Sequence, residues 1–476
     1  MSSKADLGEK PEVALGAGLQ ADGLANGNNK RHRAADKARL NAQATRSEFL
    51  AHLFEMLAGA HFNGVRGAEA RDLVSKFPPQ HGVAEIADTR EFICFLLGGG
   101  VPVLAVKVTY PRPYTRHEVS LARALTRVYN SDIYAAPRMG RDAETWTSLQ
   151  QTRFIRTIAR LTTFNTSFFI RCLRLLEGAR ELTYEGAAHT TRLLITTQLK
   201  HVANGAGDNF VRLPTLIPMG TALLREKWVR ALSIGGSVAL VATPHKGLVS
   251  GLVVAPNGPQ VGTGMLHDSL SYFESLVTKG VALAAGTPAG DIWVRLSNDM
   301  LFLRRRSRWH YFELDRIVKA LEKHLDPESA RTLTRVALDA SFERRGAMFG
   351  VLSDPATLSE IVPDHFLTRR SNRALREVMV GLSLTTPSHL PLIRSAAMID
   401  GAVLFSPSGE VIDAACMVVQ PPESRREALN LKRWESLPGA RSTAAQNCSA
   451  YGIAIKVSSD GPISIFEGGK LRMEID

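Results

Sequence analysis

Cysteine is scarce in this chain, which has four cysteines among 476 residues. They never form a C-x-x-C pair, and no Cys/His set has the ligand spacing of a zinc site. The first residues also lack the apolar segment of a secretory signal. We therefore expect free, mostly buried thiols in a protein of the reducing cytoplasm. The cysteines are Cys94, Cys172, Cys416 and Cys448.

Long hydrophobic runs are also missing. No stretch approaches the roughly 18 uninterrupted apolar residues that a membrane helix needs. The best candidate, residues 92–108, is interrupted by three glycines at 98–100, by Pro102 and by Lys107. This pattern predicts two strands joined by a glycine turn, and no membrane partner.

Common catalytic motifs are absent as well. The sequence contains no G-x-x-x-x-G-K-[ST] loop, no G-x-G-x-x-G between a strand and a helix, and no H-E-x-x-H or G-x-S-x-G. His267, Asp268 and Ser269 are neighbours in the chain. Their adjacency does not by itself indicate a catalytic triad.

Length and patterning predict more than one domain, because 476 residues exceed one ordinary core. Residues 1–42 are rich in Gly, Ala, Asn, Lys and Arg and read as a disordered basic arm. Residues 43–300 alternate helical and strand patterns and predict an α/β or α+β domain of unknown role. Residues 301–476 predict a second α/β domain.

The net charge of +12 is by itself compatible with binding to nucleic acid, to a membrane surface or to a phosphorylated small molecule, and with plain solubility. The arm contains a basic cluster, and residues 304–308 form a second one beside Trp309 and Tyr311. A solvated tail and a solvated domain junction are the simpler readings of these two clusters. Nucleic acid is therefore a partner that the charge permits but does not favour.

The last third has a clear order of elements. Helical patterns cover residues 312–325, 327–341 and 370–383, and apolar runs typical of strands cover 346–352, 402–406, 411–419 and 452–457. A final hairpin is predicted at 462–474. We expect an α/β fold here, with a mixed sheet flanked by helices.

Two segments in this third suggest phosphate chemistry. Asp400 stands directly before Gly401 and Ala402 at the mouth of a predicted strand, where small side chains allow a nucleotide to approach. The run from Gly439 through Arg441, Ser442 and Thr443 offers backbone N–H groups, hydroxyls and a guanidinium. Such a run at a helix start is a plausible phosphate cradle, and Asp400 with a divalent ion could serve phosphoryl or nucleotidyl transfer.

Taken together and in order, these segments resemble the diadenylate cyclase (DAC) domain family over residues 312–476. The family carries S-x-x-R-x-G-A-L, then D-G-A with a downstream A-A-C, then G-T-R-H-R-A-A with a following Ser. The matching residues are Ser341, Arg344, Gly346 and Ala347; Asp400, Gly401, Ala402, Ala414, Ala415 and Cys416; and Gly439, Arg441, Ala444, Ala445 and Ser449.

The resemblance implies a reaction in which two ATP molecules condense to cyclic di-AMP and pyrophosphate, with Mg²⁺ or Mn²⁺, between two subunits that face each other. It implies that Asp400 activates the attacking hydroxyl and binds the metal, and that Arg441 holds phosphate. The remaining nucleotide contacts that it implies are Gly401, Ala402, Gly439, Ser442, Thr443 and Ser449.

The sequence also departs from the family pattern. Ser442 and Thr443 replace the His and the second Arg of R-H-R. Losing a charged phosphate contact typically removes ~1.5–3 kcal/mol of interaction free energy. Two functions therefore stay open: an active cyclase-like nucleotidyltransferase, and a catalytically inactive nucleotide sensor of a bacterial signalling or defence system. A nucleic-acid-binding protein is a third reading, and it predicts strongly salt-dependent binding.

Overall fold

The computed structural model describes most of the chain from residue 45 onward, and the predicted arm at 1–42 lies outside the described residues. Residues 51–476 form one compact unit, and the described part of the other unit, residues 45–50, is helical. The described residues are 45–57, 59–135, 143–179, 182–184, 187–188, 190–220, 222–233, 236–244, 247–256, 265–306, 308–362, 370–431, 434 and 437–475.

The first sheet is antiparallel, with its strands in the order β1-β4-β3-β2. Its strands are β1 (His61–Arg66), β2 (Val83–Glu85), β3 (Glu91–Gly98) and β4 (Val101–Thr109). The predicted hairpin is confirmed: Gly98 pairs with Val101 around Gly99 and Gly100. Both turn glycines have positive φ, 60° and 83°, as a two-residue turn of this hand requires.

Helices follow the first sheet. The pattern at 150–177 predicts continuous helical structure, but the structure has two helices there. The break lies at residues 161–165, where the Asn165 side chain accepts the backbone N–H groups of Ser167 and Phe168 and so starts a new helix. Between residues 61 and 180 the helices are Gly67–Lys76, which lies between β1 and β2, and Arg116–Ala135, Ala143–Arg160 and Thr166–Ala179, which follow the sheet.

The second sheet has eight strands in the order β14-β13-β12-β11-β7-β9-β10-β8. Only β7 and β9 pair in parallel among the described strands of this sheet. The strands are β7 (Arg192–Thr196), β8 (Phe210–Pro218), β9 (Val238–Thr243), β10 (Leu248–Val254), β11 (Val281–Gly286), β12 (Ile292–Arg295), β13 (Met300–Arg305) and β14 (Arg308–Glu313). A two-residue pair, β5 (Thr183–Tyr184) and β6 (Ala187–Ala188), precedes them. The helices between them are Leu199–Ala206, Lys227–Ser233 and Asp268–Ser275.

The basic run at 304–308 belongs to this sheet. Arg304 and Arg305 end β13, and Arg308 begins β14, so the sheet extends to residue 313. Arg305 is buried. The run is therefore a hairpin of the second sheet, whereas the sequence favoured a solvated junction. The division of the chain into domains near residue 300 stays a prediction.

The third sheet has six strands in the order β17-β16-β15-β18-β19-β20. Its strands are β15 (Ala347–Leu352), β16 (Ala402–Phe405), β17 (Val411–Cys416), β18 (Gly452–Val457), β19 (Ile463–Glu467) and β20 (Lys470–Ile475). Among its described strands, only β15 and β16 pair in parallel. Its helices are Leu314–Leu321, Pro327–Phe342, Leu358–Ile361, Arg370–Met379, Leu390–Ala397, Glu423–Ala428 and Ala440–Cys448. The predicted α/β class, with a mixed sheet flanked by helices, is confirmed.

One hydrophobic core joins the second and third sheets. It includes Trp293 and Phe312 from the second sheet and Phe349, Val403 and Ile455 from the third. All four cysteines are free and buried, as predicted, and burial raises the pKa of the Cys94 and Cys448 thiols to about 12. No helix in the described residues combines the length and the apolar character that crossing a bilayer demands.

Candidate functional site

One edge of the third sheet gathers the residues that the motifs single out. Because β15 and β16 are parallel, their amino ends meet at the same edge. Strand β18 runs antiparallel to β15, with Val457 opposite Ala347, so it ends there too. Gly346 and Asp400 therefore lie at this edge, and Arg441 reaches it from helix Ala440–Cys448. We call Gly346, Asp400, Gly401 and Arg441 the sheet-edge site.

Asp400 and Arg441 form the polar centre of the sheet-edge site. The Nη2 atom of Arg441 lies 3.4 Å from Oδ1 of Asp400. The Asp400 side chain is 99% exposed and that of Arg441 is 35% exposed. An ion pair this open to solvent adds little stability. Both groups can therefore change partner when a ligand binds.

Gly346 gives Arg441 its position. A Cβ atom on Gly346 would lie 2.6 Å from Nη1 of Arg441, so the guanidinium lies directly over this glycine. Any side chain at position 346 would displace the flexible end of Arg441. Glycine at this position of the first motif therefore leaves the space that the Arg441 guanidinium occupies.

Gly401 holds Asp400 at the mouth of β16. Its φ is +129°, which L side chains rarely adopt. A Cβ atom there would also lie 2.5 Å from the carbonyl carbon of Ala415 on the neighbouring strand. Ala402 follows as the first residue of β16 and is fully buried, so it offers no side chain to a ligand.

The start of helix Ala440–Cys448 is the predicted phosphate cradle. Gly439 precedes it with a φ of +91°. The Thr443 hydroxyl lies 3.0 Å from the carbonyl oxygen of Leu437 and 3.3 Å from that of Gly439, so its proton is donated to the backbone. Ser442 is buried. The Thr443 hydroxyl therefore binds the backbone at the helix start, and the Ser442 side chain is buried instead of lying on an open surface.

Ser449 is not brought to the sheet-edge site. It lies beyond the opposite end of the same helix and is fully buried. Its hydroxyl donates to the carbonyl of Gln446 at 2.8 Å and accepts the backbone N–H of Gly469 at 3.1 Å. It thus anchors the β19–β20 turn, and we assign it no ligand contact.

Arg344 and Ser341 of the first motif also have internal partners. Both oxygens of the buried Asp291 carboxylate contact the Arg344 guanidinium, at 2.5 and 3.2 Å, and one contacts Arg305 at 3.2 Å. Ser341 accepts from Arg305 and donates to the carbonyl of Gly461. We call Asp291, Arg305, Arg344 and Ser341 the Asp291 cluster. Its long-range contacts gave no local sequence signal.

Arg345 is a second cation near the site that the motif analysis missed. Its side chain is 59% exposed, and its Nη1 atom lies 3.1 Å from Sδ of Met398, two residues before Asp400. Its Nε atom pairs with Glu343 at 3.1 Å. The only signal in the sequence was the Arg-Arg pair at 344–345. Arg345 therefore lies beside the segment that leads to Asp400, and it directly precedes Gly346 in the chain.

Apolar groups flank Asp400 as well. Ile399 is 45% exposed and Met417 is 50% exposed. Met417 follows Cys416, which pairs with Ala402, so both side chains belong to the region around Gly401. Apolar surface beside a carboxylate and a guanidinium is suited to a ligand with both a ring and charged groups. Among the described residues, no three or more His, Cys, Asp or Glu side chains group as a complete protein-built metal site.

No protein-family model and no curated protein sequence matches this chain. Two solved structures show limited similarity to 34% of it. One is described as a hypothetical membrane spanning protein from Bacillus cereus, with 21% identity, a TM-score of 0.25 and 71% of that chain covered. The other is DacA from Staphylococcus aureus in a double-mutant form, with 16% identity, a TM-score of 0.19 and 88% of that chain covered. TM-scores of this size do not establish a shared overall fold.

Proposed function

We propose that the sheet-edge site binds a nucleotide, and that the domain acts as a diadenylate cyclase-like nucleotidyltransferase. The observation that carries the proposal is the exposed Asp400–Arg441 pair beside two glycines, Gly346 and Gly401. Because this ion pair is open to solvent, the carboxylate and the guanidinium can each bind a group of the ligand in place of the other. The glycines leave room for the ligand to approach the backbone.

Each polar residue takes a role that fits its chemistry. Arg441 binds phosphate oxygens through its planar N–H donors, and the nearby Arg345 supplies a second positive charge. This second charge compensates in part for the cationic side chains that are missing because Ser442 and Thr443 replace the His and the second Arg of R-H-R. Asp400 orients the attacking ribose hydroxyl and accepts a hydrogen bond from it.

A divalent ion fits this site only with the help of its ligand. Asp400 is a single exposed carboxylate, and Mg²⁺ is commonly held by one or two carboxylates together with substrate phosphates and water. Mg²⁺ or Mn²⁺ would supply charge neutralisation at the phosphates. We expect no binding of the metal by the protein alone, because the described residues hold no denser ligand cluster.

The proposed reaction joins two ATP molecules. The 3′-oxygen of one nucleotide bonds to the α-phosphorus of the other, the bond to pyrophosphate breaks, and the hydroxyl proton passes to solvent. A second, reciprocal transfer closes the ring of cyclic di-AMP. Each chain has one sheet-edge site, so the reaction needs two copies facing each other, and the homodimer is part of this proposal.

The test is to incubate the full chain with ATP, or with GTP, in Mg²⁺ and in Mn²⁺, and to search for cyclic dinucleotide by chromatography with mass detection. We expect product that is lost in Asp400→Asn and in Arg441→Gln. The matched controls are Asp208→Asn and Arg71→Gln. Both residues are exposed, and they lie in segments that connect strands of the second and the first sheet. Product from both site variants at the control rate would overturn the proposal.

A second function, nucleotide sensing without turnover, is favoured by a specific observation. The Thr443 hydroxyl and the guanidinium of Arg344 have internal partners, and Ser442 is buried, so the site offers few groups for the transition state. A sensor binds ATP or cyclic di-AMP with no product formed. Nucleotide-dependent thermal stabilisation that Arg441→Gln removes, in a protein that yields no cyclic dinucleotide, would decide for it.

A further inference from the structure

Outside the sheet-edge site, the structure joins three groups that are far apart in the sequence or were given no role. His267 caps helix Asp268–Ser275, and Ser269 is the second residue of that helix. The Oγ atom of Ser269 lies 2.9 Å from Nδ1 of His267. The Nε2 atom of His267 lies 3.0 Å from Oε1 of Glu343, which follows the long helix Pro327–Phe342.

The contacts determine where the imidazole proton lies. Nδ1 of His267 accepts the backbone N–H of Ser269 at 3.2 Å, so this nitrogen carries no proton. The proton is therefore on Nε2, which donates to the Glu343 carboxylate. With the proton on Nε2, the Ser269 hydroxyl can donate only to the Nδ1 lone pair, which it shares with the backbone N–H of Ser269. The hydroxyl, the imidazole and the carboxylate are thus linked in the order of a nucleophile, a base and an orienting group.

Arg192 adds a positive charge at the serine. Its Nη2 atom donates to Oγ of Ser269 at 3.0 Å, and its Nη1 atom donates to the carbonyl of Thr190 at 3.1 Å. Arg192 is 3% exposed, and in the described part of the chain no carboxylate pairs with it. Burial lowers its pKa to about 10, so it keeps its charge at neutral pH. A cation there favours negative charge on or near Oγ.

A helix cap alone does not account for this arrangement. A cap needs only the contact between Nδ1 and the backbone N–H, whereas here the hydroxyl, Arg192 and Glu343 are also engaged. The His267 ring is further held by stacking on Phe342, with ring centroids 4.5 Å apart. Ser269 is half-buried, and the side chains of His267 and Glu343 are 14% and 23% exposed, so none of the three is sealed from solvent.

We propose that Ser269, His267 and Glu343 are a serine-hydrolase triad for a carboxylic ester, with Arg192 stabilising the developing oxyanion. Oγ of Ser269 bonds to the carbonyl carbon while its proton moves to Nδ1 of His267. The bond to the alkoxide leaving group breaks, and the leaving group takes that proton. Water then repeats the sequence and releases the acid. Glu343 acts through His267 as a positioning residue.

The experiment treats the full chain with a fluorophosphonate probe and locates the adduct by peptide mass spectrometry. We expect the phosphorus on Oγ of Ser269, with loss of fluoride, and no adduct in Ser269→Ala. His267→Gln should slow labelling by roughly 100-fold or more, and Arg192→Gln by roughly 100-fold. Ser167 is the internal control, because it is also the second residue of a helix and contacts no histidine among the described residues.

Glu343→Gln separates the positioning role from a structural one. It should slow labelling, because the amide no longer holds the His267 ring as the carboxylate does, and it should leave the adduct on Ser269, whereas Glu343→Asp should recover part of the rate. p-Nitrophenyl acetate hydrolysis should follow the same order of variants. An unlabelled Ser269 in a protein that still shows its native thermal transition would overturn the proposal, as would equal labelling of Ser167. Neither result bears on nucleotide binding at the sheet-edge site.

Discussion

Replacing Asp291 by Asn should destabilise the protein strongly. Asp291 is almost fully buried, and its carboxylate contacts both Arg305, which is 4% exposed, and Arg344, which is 26% exposed on its side chain. Asn has the same shape but no charge, so the substitution removes the buried negative charge that Arg305 and Arg344 both contact. Removing one partner of a buried ion pair typically reduces the free energy of unfolding by about 3–5 kcal/mol.

A second variant measures the contribution of the more exposed arginine separately from that of the buried pair. Arg344→Met removes the more exposed arginine and leaves Asp291 paired with Arg305. The loss should be smaller, about 1.5–3 kcal/mol, as for other hydrogen bonds to charged groups. In the double variant the two losses should not add, because both changes act on the same carboxylate.

The assay is equilibrium unfolding in urea, followed by fluorescence and by circular dichroism. Asp208→Asn, an exposed carboxylate, is the matched control and should change the free energy of unfolding by less than about 0.5 kcal/mol. The reasoning fails if Asp291→Asn unfolds at the same urea concentration as this control. It also fails if Arg344→Met is the more damaging of the two single variants.

Three further predictions concern two glycines and a half-buried histidine. Gly401→Ala should prevent stable folding of the third sheet, because its Cβ would lie 2.5 Å from the Ala415 backbone at a φ of +129°, and circular dichroism with thermal unfolding would detect this. Gly346→Ala should weaken nucleotide binding at least about tenfold by displacing Arg441, while the midpoint of thermal unfolding changes little. Calorimetry measures the affinity for the nucleotide, and an unchanged affinity would contradict the proposed role of Arg441. Burial lowers the pKa of His52 to about 4 from 6.5, so stability should fall as pH drops through this window, by up to roughly 3 kcal/mol. His52→Gln should remove that slope in acid unfolding.

The sequence predicts elements well where the signal is local. The β3–β4 hairpin followed from glycines between two apolar runs, and β15 to β20 followed from short apolar runs bounded by turn residues. The sheet-edge pair was also anticipated in part. Asp400 and Arg441 are 41 residues apart, and only the order of the motifs that contain them assigned both residues to one site in the sequence.

Local signals could not show which side chains are already engaged. Arg344 matches a motif position, but its partner is Asp291, 53 residues earlier in the chain. Ser449 and Thr443 read as available hydroxyls, yet one anchors a turn and the other donates to its own helix start. Contacts of this kind depend on the packing of distant segments, which no window of the sequence contains.

The residues from 341 to 346 explain why the sheet-edge site cannot be understood from the third sheet alone. Ser341 and Arg344 belong to the Asp291 cluster, which includes residues of the second sheet. Glu343 accepts a hydrogen bond from His267, and Arg345 contacts Met398 in the segment before Asp400. Consecutive residues of one turn thus contact two different sheets. Glu343 is shared between His267 and Arg345, so a ligand that draws Arg345 away changes the charge beside His267. The second sheet and the candidate nucleotide site are therefore coupled by direct contacts through this turn, whether the site catalyses a reaction or only binds.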